Sequence, residues 1–186
     1  MQGYNAQDMA RSFRTVRANT ITIAEEIPEE SYGFRPAEGS RSVAETLAHI
    51  AVTPRFAQRL HGDRITALNV SLFAEAMPRI MAEEAALTTT PKILDALRTG
   101  GEEFAAFLET LSDEALDERV HMPPGMEPAS KTRFEMLLGA KEHEMHHRAQ
   151  LMVAERMLGI VPHLTRNMQA RMAQFQQQQQ QKAAAG

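Results

Sequence analysis

Met9, Phe13, Val16, Thr20, Ile23 and Ile27 recur at alternating spacings of four and three residues, and Pro28 ends the run. An α-helix gathers such positions on one face, whereas a strand would need every second residue. The stripe must therefore pack against other apolar helical faces, and the chain supplies them. Ser42 and Glu45 form a capping-box signature opening a second helix from about Val43 to Leu60, which stops near Gly62. Pro54 within it cannot donate to the carbonyl of Ile50, so a kink or break is expected just past His49. Residues 63–88 include the apolar stretch LNVSLFAEAMPRIMAEEAAL, which Pro78 is expected to divide into short helical pieces. This region reads as a long crossover. Thr90 and Pro91 supply an N-cap and first turn for a third helix, whose stripe of Leu94, Leu97, Phe104, Leu108 and Leu111 is interrupted at Gly100-Gly101. That pair is either a weak point or a place left open for something else. A loop with Pro123, Pro124, Gly125 and Pro128 leads to Ser130, where a long fourth helix begins, to be closed after about Leu158 by Gly159 and Pro162. No segment shows the alternation of a strand. The expected fold is all-α, a four-helix bundle with a long crossover between helices two and three.

At 186 residues, 43% hydrophobic and 24% charged, the chain is long enough for one domain with a sizeable core. That domain is expected over residues 1–165. Residues 166–186 form a low-complexity, glutamine-rich tail with little to bury, read as a frayed helix or a disordered segment. There is no cysteine, so disulfides are excluded, any metal must be held by His, Asp or Glu, and any thiol chemistry must use an external thiol. The N-terminus has no apolar signal core and no run is long enough for a membrane span, which points to a cytoplasmic protein. With a net charge of -4 and dispersed cations, no nucleic-acid partner is expected.

The stretch KEHEMHHRAQL places His143, Glu144 and His147 in an H-E-x-x-H pattern. On a helical wheel His147 lies about 40° from His143, and Met136, Ala140, Gln150, Ala154, Met157 and Leu158 share that side. This side reads as the core-facing stripe. His146 is turned roughly 100° from His147 and cannot easily share a metal with it. On helix two, His49 shares a side with Val52, Phe56 and Leu60. Three imidazoles thus point into one interior, where burying them without partners is costly. An i, i+4 pair plus one ring from a facing helix can reach a divalent ion at about 2.0–2.1 Å. Glu144 is the candidate catalytic residue, open to two roles, a base near the vacant position or an exposed carboxylate. His61, His121 and His163 fall near loops or helix ends and read as solvated.

A zinc protease needs a neighbouring sheet and a further ligand downstream, and HEMHHRAQLMV has neither the Gly nor the His of the extended motif. A ferritin-like di-iron site needs a second Glu-x-x-His, and Glu45 and His49 stand at the wrong spacing.

The segment IPEESYGFRPAEGSRSVAETLAHIA, followed further along by HEMHHRAQL, resembles the DinB-like superfamily, which includes YfiT-type and bacillithiol-transferase proteins. The resemblance spans residues 1 to about 165. It implies a four-helix bundle whose divalent metal, Zn²⁺ or Ni²⁺, is held by His49, His143 and His147. It also implies transfer of a small-molecule thiol to a small electrophile. The competing reading is a stress-related protein with a stabilising or vestigial metal site and no reaction of its own. Ala149 departs from the family, which commonly has Gly in an H-R-G-Q run, but leaves the ligands alone.

Two expectations concern surroundings. Phe73, Met77, Ile80 and Met81 of the crossover would cover the metal, and Gly100-Gly101 would leave space for substrate. Phe134, Leu138, Met145 and Met152 form a second apolar stripe on helix four, which points to a homodimer unless the crossover covers it.

Overall fold

In the computed structural model, which describes residues 3–184, three of the four bundle helices open on a reciprocal capping box. Asn5 and Asp8 start α1 (Ala6–Glu26), Ser42 and Glu45 start α2 (Val43–Gly62), and Thr132 and Glu135 start α6 (Arg133–Met157). In each, two orphan N–H groups of the first turn find side-chain acceptors. The fourth bundle helix, α4 (Thr90–Glu109), follows Thr89 and carries Pro91 in its first turn, one residue earlier than the expected cap. Between them lie α3 (Val70–Ala86) in the crossover, the short α5 (Asp113–Asp117), and strands β1 (Arg119–His121) and β2 (Ser130–Thr132). Helix α7 (His163–Ala184) follows the bundle.

Helices α4 and α6 each pack against both α1 and α2. The bundle is therefore a ring in which consecutive helices α1 and α2 face each other across the centre. Its apolar interior is two clusters. Ile23, Leu47, Ile50, Ile93, Leu97 and Leu151 belong to one, and Met9, Phe13, Phe104, Leu108 and Leu137 to the other. Along α1, α4 and α6, the residues between them are Arg17, Gly100-Gly101 and Glu144. A buried ion pair thus separates two oily layers.

Three expectations are corrected. Pro54 does not break α2, which runs through it. The carbonyl that proline leaves unpaired, Ile50 O, accepts from Arg17 Nη2 at 3.1 Å, and Thr53 Oγ1 donates to His49 O at 2.7 Å. The cost of a helix-interior proline is reduced when the freed acceptor finds another donor. Pro78 likewise leaves α3 continuous, and both it and Ala74, whose carbonyl it cannot serve, are exposed and open to water. Gly100-Gly101 does not interrupt α4 or open a substrate space. A Cβ at Gly101 would sit 2.7 Å from Arg17 Cγ, so the missing side chain makes room for the arginine. The tail, read as a frayed helix or a disordered segment, is helical through Ala184 and exposed over 166–183, which leaves the first of those readings standing. Its glutamines, alanines and methionines are good helix formers without needing tertiary cover.

A two-stranded antiparallel ribbon also appears, with Arg119 opposite Thr132 and His121 opposite Ser130. Three residues per strand are too few for alternation to show in the sequence. Val120 joins Leu60 and Leu68 in a small satellite cluster, and Leu68 N donates to His121 O at 2.8 Å, tying the crossover to the ribbon. Part of the second stripe on α6 is covered from the chain's start: Tyr4 stands edge-on to Phe134, with centroids 6.2 Å apart.

Candidate metal centre

The structure brings together the three expected histidines. His49 comes from the middle of α2, and His143 and His147 lie one turn apart on α6, which packs against α2. Their Nε2 atoms converge, with His143 Nε2 3.1 Å from His49 Nε2 and 3.2 Å from His147 Nε2. A tetrahedral ion at about 2.0–2.1 Å from nitrogen ligands separates neighbouring ligands by about 3.3–3.4 Å, so the observed spacing fits a divalent ion with little adjustment.

The outer nitrogens explain the orientation. His49 Nδ1 lies 2.8 Å from Glu84 Oε1, and His147 Nδ1 lies 2.9 Å from Gln150 Oε1. Each acceptor fixes the proton on Nδ1 and so turns a lone pair at Nε2 toward the centre. Three facing nitrogens with few protons between them repel one another, which a cation relieves. Burial, reinforced by the neighbouring His147 and His49, pushes His143 down to about 4. Burial lowers His147 as well, against the opposing effect of the hydrogen bond it donates to Gln150. Neutral imidazoles are the form a metal needs.

Glu84 had no local mark in the sequence. It sits near the end of α3, and only the path of the crossover over α2 brings it to His49. The apolar residues expected to cover the site behave otherwise: Met77 and Met81 are exposed, and Phe73 stacks at a tilt on Phe56, away from the histidines.

Glu144 is neither an exposed carboxylate nor a base at the open position. It is 1% exposed. Arg17 Nε and Nη2 hold its two oxygens at 2.9–3.1 Å, and Thr20 Oγ1 donates to Oε1 at 2.7 Å. Arg17 also donates to Leu97 O on α4 at 2.8 Å, so with Ile50 O it joins all four bundle helices. The buried residues of α6 are Arg133, Leu137, Glu144, His147, Leu151, Ala154 and Glu155, so the expected core-facing stripe was set about 60° too far toward the histidines. Met157, at 56% exposed, belonged to the misplaced side. Arg17 itself carried a legible signal, standing four residues after Phe13 and three before Thr20 on the buried side of α1.

Of the other histidines, His121 is exposed on the ribbon, as expected. His61 is buried, with Nδ1 accepting from Arg133 Nη1 at 3.2 Å, and burial beside that cation pushes it down to about 4. His163 is also buried and lies 3.1 Å from Asn19 Oδ1. Both correct the solvated reading, because the ribbon and α7 close over helix ends that the sequence left open. His146 is exposed, turned away from the triad toward Gln150 Nε2 at 3.1 Å.

A cleft of about 640 Å³ opens beside His147, between the loop before α2 and the outer turns of α6. Arg41, Thr46, Gln150 and Val153 are among its walls. His147 therefore borders a space large enough for a small molecule.

A family model for the DinB superfamily matches residues 12–151. The uncharacterised protein YjoA of Bacillus subtilis is 29% identical over 147 residues, covering 79% of this chain and 86% of YjoA. The crystal structure of that DinB-like protein has a TM-score of 0.61 at 26% identity, over 82% of this chain and 92% of its own. YfiT from Bacillus subtilis, a probable metal-dependent hydrolase with an unusual four-helix bundle topology, has a TM-score of 0.62 at 17% identity, over 86% and 91%. The mycothiol-dependent maleylpyruvate isomerase has a TM-score of 0.60 at 12% identity, over 81% and 63%. The last two share the fold with this chain. No described helix is long and apolar enough to cross a membrane.

Proposed function

The chain belongs to the DinB superfamily, and we propose that it is a metal-dependent transferase that activates a low-molecular-weight thiol for attack on a small electrophile. The observation that carries this reading is the convergence of the His49, His143 and His147 nitrogens beside a cleft. A divalent ion held by three neutral imidazoles keeps its full charge and an open position, and so supplies a Lewis acid that lowers the pKa of a thiol or water. Zn²⁺ and Ni²⁺ suit such nitrogen donors.

With no cysteine in the chain, the sulfur comes from a separate molecule. The thiol gives its proton to solvent, its sulfur forms a bond to the electrophilic carbon, and the leaving group departs with the electrons of the bond that breaks. Glu84 and Gln150 keep two imidazoles from swinging, so the donor set is in place before substrate arrives. The apolar walls at Val43, Leu151 and Ala154 exclude water from one side of the cleft and favour sulfur over hydroxide. Glu144 has no part in the reaction, since Arg17 and Thr20 already engage its oxygens away from the triad. The mycothiol dependence of one structural neighbour and the probable metal dependence of another support the same pairing of thiol and metal.

The test is metal content combined with a conjugation assay using cysteine-based thiols and an alkylating electrophile. One divalent ion per chain and conjugation faster than in solution are expected, both lost in His49→Ala. Bound metal without acceleration would replace the enzyme reading with that of a stabilising metal site.

A further inference from the structure

The cleft beside His147 is lined by one cationic side chain, Arg41, and by no carboxylate. Two arginines flank its loop, and they differ. Arg35 is held by both oxygens of Glu45 and by Ser40 O. Arg41 has no hydrogen-bond or ion-pair partner among the described residues and lines the same cleft as His147. A guanidinium left free at a cleft mouth while its neighbour is fully paired is placed to receive an anion.

The start of α2 lies at the same wall and would ordinarily offer N–H groups to a phosphate. Here they are taken. Val43 N donates to Phe34 O at 3.0 Å, Ala44 N to Tyr32 O at 2.9 Å, and Glu45 N to Ser42 Oγ at 3.2 Å. The Glu45 carboxylate also accepts from Ser42 N at 2.8 Å, placing a negative charge where a phosphate would sit. One planar fork remains, which matches a single carboxylate. The apolar lining, Val43, Leu151, Val153 and Ala154, suits an apolar body between that carboxylate and His147.

We propose that this cleft selects a reactant bearing a carboxylate, with Arg41 as the residue that binds it and so sets which small molecules reach the triad. The inference rests on the reading of the histidines as a metal centre open to thiols, and its test separates the two. Cobalt(II)-loaded protein is titrated with 3-mercaptopropionate and with 2-mercaptoethanol, following the sulfur-to-cobalt absorption band. In parallel, succinate, succinamide and inorganic phosphate are titrated into the same protein by NMR. We expect 3-mercaptopropionate to bind at least tenfold more tightly than 2-mercaptoethanol, and the two to come within threefold of each other in Arg41→Gln. Arg41 is exposed and makes no contact that folding needs, so the variant should keep the parent's circular dichroism. Equal affinities in the parent, or a preference that survives Arg41→Gln, would overturn the proposal. If neither thiol alters the cobalt spectrum, the thiol reading of the metal fails while the cleft is still decided. Succinate binding that succinamide and Arg41→Gln both lack sustains the carboxylate site, and no discrimination, or phosphate bound as tightly as succinate, removes it.

Discussion

His143 and Glu144 are adjacent in sequence and serve opposite regions of the molecule. Helical geometry turns them about 100° apart, so one ring joins the histidine triad and one carboxylate faces the bundle axis. The two regions are both polar and differ in how their valences are met. In the axial region Glu144, Arg17 and Thr20 match donor to acceptor, and Arg17 reaches backbone carbonyls on two further helices. In the cleft region three Nε2 atoms point at one another with too few protons among them. Matched polar groups hold a fold together, and unmatched ones wait for a ligand.

Removing one partner of the matched region should have the largest effect. Glu144→Ala strands the Arg17 charge in the core and should cost about 3–5 kcal/mol in urea unfolding. A loss below about 1 kcal/mol would show that water reaches Arg17 and that the contrast between the regions is false.

On the open side, metal should act as a stabilising ligand, adding about 4 kcal/mol at a free concentration 1,000 times its Kd. His143→Ala should abolish that gain and leave the metal-free protein no less stable. Glu84→Gln should weaken metal binding by about 10–100-fold. If it instead lowers the stability of the metal-free protein and spares affinity, Glu84 is an anchor for α3 and does not orient His49.

Glycines sharpen the comparison at smaller scale. Gly101→Ala forces a methyl against Arg17 and should cost about 1–3 kcal/mol. Gly139→Ala, in α6 with nothing within 4 Å of the added carbon, should gain about 0.5–1 kcal/mol. Similar thermal shifts at both positions would mean that Arg17 moves freely.

A comparably small effect concerns Glu155, fully buried on α6 with neither oxygen hydrogen-bonded. Burial, with Glu26 nearby, pushes it up to about 7 from the usual 4.5. The folded state therefore holds the proton more tightly than the unfolded state. This group's contribution is fully present below pH 4.5 and is lost as pH rises through about 7. Glu155→Met should be more stable than the parent at pH 8, by about 1 kcal/mol, with the advantage fading toward pH 4.5. Subtracting variant from parent separates this slope from the opposite one of His61 and His143, which favours the neutral protein above pH 6.5. A difference that does not vary with pH would mean that Glu155 is already paired.

The sequence by itself determined the four bundle helices, because a stripe such as Met9 to Ile27 and a capping box such as Ser42 with Glu45 are local facts, set by the helical repeat and the needs of the first turn. It also brought out the triad, since an i, i+4 pair shares a face wherever its helix lies. Tertiary structure alone decided how α6 is rotated, because its buried centre is held by Arg133, Glu144 and Glu155, which an apolar pattern cannot flag until their partners are in place. It likewise decided that Pro54 and Gly101 both serve Arg17, one by freeing the Ile50 carbonyl and the other by leaving a gap on α4. These are meetings between residues far apart in the chain. Their energies depend on distance and burial, quantities that exist only once the helices have packed.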